Sequence, residues 1–291
     1  MLKRKESLTS LPNSFYFGRM EKTIQHLGSA INYSVEGSGV TLVLLHGFCE
    51  DKTIWNDFKQ PLLSKTKIIS IDLPGFGKSL PSKNHLSMEL MAEAVLAVLD
   101  EELIDKSAGS GGCFLLGHSM GGYITLSFAE KYADRLNGIG LFHSSCFADD
   151  ETKKETRKKV AEFVLKNGSE VFARQLFPTL FAAEFAKQNE SLIQSLEEIA
   201  ATYPSESIAN ASLAMGMRKD SNAFLSETNL PVLMIIGKKD LAIPFDRSLK
   251  MAHLPKSASI CLLEQSAHMG MFEEPEKSRM AIEDWMQLTT G

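Results

Sequence analysis

The sequence has little of what membrane, secreted or nucleic-acid-binding proteins need. No apolar run approaches the roughly 20 residues of a membrane-spanning helix, and no apolar stretch of signal-peptide length follows the basic N-terminus. Bases do not outnumber acids: 31 Lys and Arg stand against 36 Asp and Glu, which gives a formal net charge of −5. Because phosphate binding needs a basic surface, we expect no nucleic-acid partner. Because a membrane-spanning run is missing, we expect no membrane partner either.

Cysteine is scarce as well. The four cysteines lie far apart without a CxxC pair, at Cys49, Cys113, Cys146 and Cys261. This spacing argues against a disulfide framework and favours reduced thiols in a cytoplasmic protein. The seven histidines form no HExxH-type pair, so no metal site is expected, nor any other cofactor.

What the chain does have is a repeated pattern of short apolar runs rich in Val, Ile and Leu. They occur at 41–45, 67–71, 113–116, 138–142, 232–236 and 259–263. Continuous apolar strands are typical of a parallel sheet that is covered on both faces. Helical patterns at 87–103 and 275–288 add the alternation of an α/β fold. Residues 22–27 and 30–35 alternate around Gly28-Ser29, which predicts a β-hairpin.

One interval, between Phe147 and about Ser221, contains no strand-like run. Helices are predicted there at 149–166, 169–176, 180–188, 190–202 and 206–217. Ligands of open α/β sheets bind at the carboxyl ends of the strands, so this insertion is interpreted as a lid. The charged start of its first helix is interpreted as a solvent-exposed face. The predicted division is a flexible tail at 1–19, with Met1 or Met20 as the start, a core at 20–147 and 221–291, and a helical lid at 148–220.

The strongest chemical signal is Gly117-His118-Ser119-Met120-Gly121, which follows an apolar run and precedes a helical pattern at 123–132. GxSxG between a strand and a helix is typical of the nucleophile elbow, a sharp turn that exposes the serine hydroxyl. The flanking glycines let neighbouring backbone pass without a Cβ clash. We therefore predict that Ser119 is a nucleophile.

A serine hydroxyl needs an adjacent base. The favoured base is His268, in the loop between the last apolar run and the C-terminal helix. His143 also follows an apolar run; it is the weaker candidate and is expected to line the pocket or to form a local hydrogen bond. His253 lies in a helix–strand connection and is interpreted as a surface residue.

The base in turn needs a carboxylate to orient it. Asp240, just past an apolar run, is favoured for this role. Three alternatives stay open. Asp72 is interpreted as bracing a Pro-Gly turn, Asp246 lies in the first turn of a helix, and Glu264 is only four residues from His268.

Five segments carry the motifs of one family: His46-Gly47-Phe48, Asp72–Ser79, Gly117–Gly122, Gly237–Asp240 and Ala267-His268. Together they resemble the oxyanion, turn, elbow, acid and base loops of the α/β-hydrolase superfamily, in its lidded esterase, lactonase and C–C hydrolase branch. The chain order Ser, Asp, His is typical of that superfamily. The resemblance implies an eight-stranded, mostly parallel sheet with helices on both faces and the lid inserted after the sixth strand.

The resemblance also implies an oxyanion hole and a substrate pocket. The backbone N–H groups of Phe48 and Met120 would stabilise the negative charge that develops on an acyl oxygen. Gly47 would let its loop bend close to the substrate, and a structural hydrogen bond is favoured for His46. The pocket candidates are His46, Gly47, His143, Phe172, Phe177, Phe181, Met215 and Met269.

The predicted function is that of a serine hydrolase, in which Ser119, His268 and Asp240 cleave a small apolar ester, lactone or thioester through an acyl-enzyme. Three alternatives remain: C–C bond hydrolysis of the meta-cleavage type, cofactor-free haloperoxidase or perhydrolase chemistry, and a ligand-binding receptor that retains the three residues. His118 stands where meta-cleavage hydrolases commonly carry Asn, which lowers the weight of the first alternative. The expected partner is a small-molecule substrate, and both a monomer and a homodimer are compatible with the sequence.

Overall fold

The computed structural model describes residues 18–26, 28–82, 85–105 and 111–290. The predicted tail at 1–19 lies outside the described residues except for Gly18 and Arg19, and so does Leu27 of the predicted hairpin. Among the described residues, no helix has both the length and the apolar character needed to cross a membrane. All four cysteines are buried and free.

Eight strands form one sheet. In chain order they are β1 (Met20–His26), β2 (Ser29–Glu36), β3 (Val40–Leu45), β4 (Thr66–Ile71), β5 (Cys113–His118), β6 (Leu136–Phe142), β7 (Val232–Gly237) and β8 (Ala258–Leu263). Their order across the sheet is β1-β2-β4-β3-β5-β6-β7-β8. The β1–β2 and β2–β4 pairs are antiparallel, and all other pairs are parallel. Each predicted apolar run lies inside one of these strands.

Twelve α-helices connect or flank the strands in the described part of the chain. They are α1 (Asn56–Lys59), α2 (Met88–Glu101), α3 (Met120–Tyr132), α4 (Glu151–Asn167), α5 (Ser169–Leu176), α6 (Ala183–Gln188), α7 (Glu190–Ala201), α8 (Ser205–Met217), α9 (Asn222–Glu227), α10 (Phe245–Ala252), α11 (Gly270–Glu273) and α12 (Pro275–Thr290). Short 3₁₀ helices occur at Lys52–Trp55, Gln60–Leu62, Ala133–Arg135 and Phe177–Leu180.

The central sheet is covered on both faces. Every residue of β5 and of β7 is buried, and alternate residues of a strand point to opposite faces. These strands therefore read as continuous apolar runs rather than as an alternation. The predicted fold class, an eight-stranded, mostly parallel α/β-hydrolase sheet, is confirmed.

The segment between β6 and β7 is helical, as predicted. We call residues 148–220 the lid segment; it contains α4 to α8. Asp150 begins α4, because its side chain accepts a 2.8 Å hydrogen bond from the Lys153 N–H, and Gly168 ends it at φ 88°. The helix predicted at 180–188 starts later, at Ala183, because Phe181 is extended (φ −104°, ψ 153°).

The strand register determines which loops meet. Leu45 at the end of β3 pairs with Gly117 near the end of β5, and His118 pairs with Phe142 at the end of β6. Toward the β8 end of the strand order, Gly237 at the end of β7 pairs with Leu263 at the end of β8. The loops that follow β3, β5, β6, β7 and β8 therefore leave the sheet at the same edge, where ligands of open α/β sheets bind.

Candidate active site

Ser119 occupies a sharp turn between β5 and α3. Its backbone has φ 50° and ψ −111°, a conformation that a non-glycine residue adopts only when its surroundings hold it there. The Ser119 N–H donates to the Phe142 carbonyl at 2.8 Å, and its own carbonyl accepts from the Gly122 N–H at 3.0 Å. The turn is thus held on both sides of the serine.

The glycines of the motif allow two backbone segments to come very close. A Cβ atom on Gly117 would lie 2.1 Å from the Gly121 carbonyl oxygen, and one on Gly121 would lie 2.7 Å from the His46 carbonyl oxygen. Real Cβ atoms essentially never approach other atoms so closely. The first turn of α3 can therefore pack against the ends of β3 and β5 only if these positions lack side chains.

The structure brings Ser119, His268 and Asp240 together. His268 Nε2 lies 2.9 Å from Ser119 Oγ, and His268 Nδ1 lies 2.7 Å from Asp240 Oδ2. The other carboxylate oxygen of Asp240 accepts hydrogen bonds from the Ala242 N–H at 2.8 Å and the Ile243 N–H at 2.9 Å. These contacts orient both the carboxylate and the imidazole.

Asp240 is held in its ionised form. Burial by itself raises the pKa of the carboxyl group, but the charge and hydrogen bond of His268, together with His143, outweigh burial and bring the pKa well below its usual value. An ionised Asp240 accepts the Nδ1 proton of His268. The Nε2 lone pair is then available to the Ser119 hydroxyl.

The other carboxylates considered from the sequence have different partners. Asp72 forms a 2.6 Å ion pair with Lys52 and accepts the Lys78 N–H at 2.9 Å, so it braces the turn as interpreted. Glu264 is paired with exposed Lys238 at 2.7 Å. Asp246 lies in the first turn of α10.

His143 supports Asp240 from a second side. Its Nδ1 lies 3.5 Å from Asp240 Oδ2, and its two ring nitrogens lie 3.1 Å from the backbone N–H groups of Gly237 and Gly270. Burial lowers the pKa of His143 to about 4, although Asp240 raises it. The ring is therefore neutral at neutral pH. It makes local hydrogen bonds, which is one of the two predicted alternatives.

His118 and Glu50 form a buried ion pair next to the site. His118 Nδ1 lies 2.9 Å from Glu50 Oε2, and His118 Nε2 lies 2.8 Å from the His268 carbonyl oxygen. Both partners are acceptors, so both ring nitrogens must donate, and His118 is an imidazolium. Burial lowers the His118 pKa and raises the Glu50 pKa, but their mutual attraction outweighs burial, so that the His118 pKa is raised and the Glu50 pKa is lowered.

This ion pair connects two loops and the end of a strand. Glu50 Oε2 also accepts the Gly47 N–H at 2.6 Å. The pair thus ties the loop after β3 to the end of β5 and, through the His268 carbonyl, to the loop after β8. The predicted oxyanion donors lie in or next to two of these segments: Phe48 is in the loop after β3, and Met120 is two residues past the end of β5, at the first position of α3. The Met120 N–H cannot bond within its own helix, because the first N–H groups of a helix have no partner there.

His143, Asp240 and His268 also have ligand atoms within 4.8 Å of one another, a spacing that could hold a metal ion. Their hydrogen bonds do not fit that role. Backbone N–H groups point at both ring nitrogens of His143, and His268 Nε2 faces the Ser119 hydroxyl. The donor set is arranged to exchange protons and hydrogen bonds rather than to coordinate a cation.

A cavity of about 90 Å³ lies beside Ser119 and His268. Its walls combine the core with the lid segment. The lining residues are Phe48, Glu50, Ser119, Tyr123, Lys153, Arg157, Leu176, Leu180, Met215, Ala242, Ile243 and His268. Of the eight pocket candidates from the sequence, Met215 is the one that borders this cavity.

The other seven candidates do not border it. His46 bonds the Gly47 carbonyl at 2.8 Å and accepts the Leu73 N–H at 2.9 Å, the structural role favoured from the sequence. Gly47 is enclosed, since a Cβ there would lie 2.7 Å from His118 Nδ1, and His143 is occupied by Asp240 and the backbone. The remaining four are buried in lid–core packing: Phe172, Phe177, Phe181 and Met269. Phe172, for example, lies edge-on to Phe48 at 6.0 Å.

Two cations of the cavity wall, Lys153 and Arg157, are not predicted from the sequence. The interpretation of the start of α4 as a solvent-exposed face is wrong for these two residues. A signal was available: positions 153, 157, 161 and 164 follow helical spacing, and Ala161 and Val164 are the buried residues of α4. Residues at this spacing share one face of a helix, so the two cations lie on the inner face.

Hydrogen bonds also attach the lid segment to the loops around the site. The His268 N–H donates to the Leu180 carbonyl at 2.9 Å, and Glu273 accepts the Ala182 N–H at 2.8 Å. On the opposite side, the Tyr203 hydroxyl donates to Asp51 at 3.0 Å. The lid segment therefore contacts the loops after β3 and β8.

Comparison with known proteins finds similar esterases and hydrolases. A pimeloyl-[acyl-carrier protein] methyl ester esterase of Aeromonas hydrophila subsp. hydrophila is 29% identical over 267 residues, covering 88% of this chain and 100% of that protein. A thermophilic esterase from Thermogutta terrifontis, solved with malate bound, is 29% identical with a TM-score of 0.84, covering 94% of this chain and 100% of that one. A 2-hydroxy-6-oxononadienedioate/2-hydroxy-6-oxononatrienedioate hydrolase of Burkholderia vietnamiensis is 27% identical over 285 residues, covering 87% and 90%. The model of the alpha/beta hydrolase family matches residues 42–278, and the chain belongs to that family.

Proposed function

We propose that the protein is a serine hydrolase that cleaves a small carboxylic ester, lactone or thioester through an acyl-enzyme. The observation that carries the proposal is the continuous line from Asp240 through His268 to Ser119, with contacts of 2.7 and 2.9 Å. Nucleophile and base within hydrogen-bond reach, with the base oriented by a third group, is the arrangement that activates a serine. The two 29% identical relatives are both esterases by name.

The first half of the reaction acylates the serine. Ser119 Oγ attacks the acyl carbon while its proton passes to His268 Nε2, and the carbonyl electron pair moves onto the oxygen. The N–H groups of Phe48 and Met120 stabilise that oxyanion, each by roughly 3 kcal/mol. When the intermediate collapses, the leaving oxygen or sulfur takes the proton from His268, and the acyl group stays on Ser119.

The second half reverses the proton path with water. His268 Nε2 takes a proton from a water molecule, whose oxygen attacks the acyl-Ser119 carbonyl. Collapse of the second intermediate returns the proton to Ser119 Oγ and releases the acid. Asp240 stays ionised throughout and stabilises the imidazolium that forms twice in each turnover.

The test is hydrolysis of 4-nitrophenyl butyrate by the wild type and by Ser119→Ala. In triads of this kind, removal of the serine costs on the order of 10⁶ in kcat, so turnover should fall to background. Ser195→Ala is the matched control, because Ser195 is exposed in α7 and should leave kcat unchanged. Near-normal turnover by Ser119→Ala would reject the assignment.

C–C bond hydrolysis is the second candidate, because the 27% identical relative from Burkholderia vietnamiensis is a hydrolase of dienedioate compounds by name. The same three residues would serve it. Turnover of a coloured dienol diketone together with no turnover of 4-nitrophenyl esters would favour this reaction. Turnover of the esters favours the primary proposal.

We also propose a cytoplasmic location. The four cysteines are free and buried, and burial raises the pKa of the thiols of Cys113 and Cys146 to about 12. Such thiols are unreactive and suit a reducing compartment.

A further inference from the structure

Lys153 is a cation in the wall of the candidate active-site cavity. It comes from α4 of the lid segment, and it borders the cavity of Ser119 and His268 as well as an adjoining cavity of about 240 Å³. Tyr123, Ala242 and Ile243 border both cavities too. The Lys153 side chain therefore lies where the two cavities meet.

The surroundings of Lys153 do not compensate its charge. Burial lowers the pKa of its ammonium group, and the nearby positive charges of Arg157, Arg218 and Arg247 lower it further, while the charge of Asp149 raises it. In the described part of the chain, no carboxylate forms an ion pair with this ammonium. Partial desolvation without a partner is costly for a cation.

The nearby carboxylates are already engaged. Asp149 binds Arg157 at 3.1 Å and Arg218 at 2.8 Å through its two oxygens. Asp150 accepts the backbone N–H of Lys153 as the cap of α4. Glu50 is paired with His118. Each of the two cavity linings thus carries one more cation than carboxylates.

Arg157 adds unused donors on the same wall. Its Nε donates to Asp149 at 3.1 Å, whereas its two terminal nitrogens have no hydrogen-bond acceptor among the described residues. Lys153 and Arg157 are four residues apart and share one face of α4. Together they offer ammonium and guanidinium donors to whatever occupies the cavity, and a carboxylate is the natural complement of such donors.

We propose that the natural substrate is a carboxylate-bearing ester or thioester, whose anionic group binds Lys153 with Arg157 beside it while its acyl carbon lies at Ser119. The inference rests on the proposed hydrolase function and narrows its substrate class. It replaces the purely apolar substrate expected from the sequence. Binding supplies the missing negative charge, so the preference for anionic substrates depends on the lid segment rather than on the catalytic residues.

The experiment compares two pairs of esters that differ in one carboxylate. In the acyl pair, 4-nitrophenyl hydrogen glutarate is compared with 4-nitrophenyl pentanoate. In the leaving-group pair, 4-butyryloxybenzoate is compared with phenyl butyrate. The variants are Lys153→Met, Lys153→Arg and Lys158→Met; Lys158 is exposed on the same helix, so its replacement changes the net charge equally without touching the cavity.

In at least one pair, Lys153→Met should lower kcat/KM for the anionic ester about 10- to 100-fold, the usual value of a charge-assisted hydrogen bond. The loss should arise mainly in KM, and the neutral ester should change less than about twofold. Lys153→Arg should restore much of the loss, and Lys158→Met should behave as the wild type. Lys153→Met should fold with an unchanged or higher Tm, since it removes an uncompensated charge.

Two results would overturn the inference while the proposed function stands: equal effects of Lys153→Met on both members of both pairs, or equal losses in Lys153→Met and Lys158→Met. If the wild type hydrolyses none of the four esters, that result would instead contradict the proposed function and, with it, this inference.

Discussion

At the scale of single residues, two histidines near the site differ in charge for identifiable reasons: His143 is neutral and His118 is protonated. Backbone N–H groups face both ring nitrogens of His143. A neutral ring accepts from one of them and keeps its single proton on the other nitrogen, whereas an imidazolium could accept from neither. His118 lies between a carboxylate and a carbonyl, which require a protonated ring. Burial disfavours the protonated form of both rings, and only His118 has partners that outweigh this cost.

The lowered pKa of His143 leads us to expect a smaller free energy of unfolding in mild acid. Its pKa falls from 6.5 to about 4 on folding, so between these pH values the unfolded chain binds a proton that the native protein does not. The free energy of unfolding then decreases as the pH falls through this window, by roughly 3 kcal/mol in total. His143→Asn, which tolerates φ 49°, should remove most of this decrease in urea titrations at pH 7 and 4.5. If the free energy of unfolding of His143→Asn fell with pH as much as that of the wild type, the assignment of this decrease to His143 would be wrong.

The buried ion pair makes a second prediction at this scale. Glu50→Gln keeps the shape but leaves the His118 charge without its partner, and breaking a buried pair typically costs about 3–5 kcal/mol. The Glu50 contribution is present above its ordinary pKa of 4.5 and is lost as the pH falls through its lowered value. The His118 contribution is present below 6.5 and is lost as the pH rises through its raised value. The difference in unfolding free energy between the two proteins should therefore be largest near pH 5.5 and shrink as the pH rises through the raised pKa of His118; a constant difference would argue against a charged pair.

At the scale of elements, the strand–turn–helix at Ser119 was predictable because its requirements are local. Gly117, Ser119 and Gly121 stand within five residues, and their close contacts with the ends of β3 and β5 leave no room for other side chains. The N-cap of α2 is equally local: Ser87 accepts the Leu90 N–H at 3.1 Å.

The inner wall of the lid segment was not predictable in the same way. Lys153 and Arg157 lie among many charged residues of α4, most of which are exposed. Which of them faces the cavity depends on how α4 packs against α8 and the core, and the charged pattern by itself does not determine that. Seven of the eight pocket candidates do not border the cavity for the same reason. They were chosen by side-chain size and by position in the sequence, and neither property determines which residues line a cavity.

Two glycine substitutions test the packing of the elbow. Gly117→Ala would place a methyl group 2.1 Å from backbone atoms of Gly121, and backbone cannot move aside as a flexible side chain can. We expect destabilisation of about 3 kcal/mol, the upper end of the usual cost of overpacking, and loss of activity. Gly216→Ala in α8 is the control, because its Cβ would meet Arg157 at an ordinary 3.4 Å, and alanine favours the helix by about 0.5–1 kcal/mol. Urea denaturation compares the two, and similar behaviour would contradict the packing argument.

At the scale of the whole molecule, the lid segment is fastened to the core on two sides of the cavity. The loop after β8 binds it through Leu180 and Ala182, and the loop after β3 binds it through the Tyr203 hydroxyl. Movement of the lid segment would therefore disturb the loops that carry His268 and Phe48. The family and the fold were readable from dispersed motifs, whereas these long-range contacts emerge only from the three-dimensional arrangement.

Tyr203→Phe tests whether the hydrogen bond from Tyr203 to Asp51 holds the lid segment against the core. Loss of the hydroxyl leaves one oxygen of buried Asp51 without its lid partner, at a cost of about 1–3 kcal/mol. Backbone amides in α5 and α7 should exchange with deuterium faster, while those of β5 and β7 keep their protection. Equal acceleration in the sheet would indicate global destabilisation instead of local opening.

The most direct test of the central claim is covalent labelling of the folded wild-type protein by a fluorophosphonate, followed by intact-mass measurement and peptide mapping. An activated serine attacks phosphorus and retains the phosphonyl group as fluoride leaves. The account predicts one adduct per chain, located on Ser119, absent from Ser119→Ala and formed much more slowly by His268→Ala. A folded wild-type protein that stays unlabelled, or carries its adduct on another residue, would contradict the account.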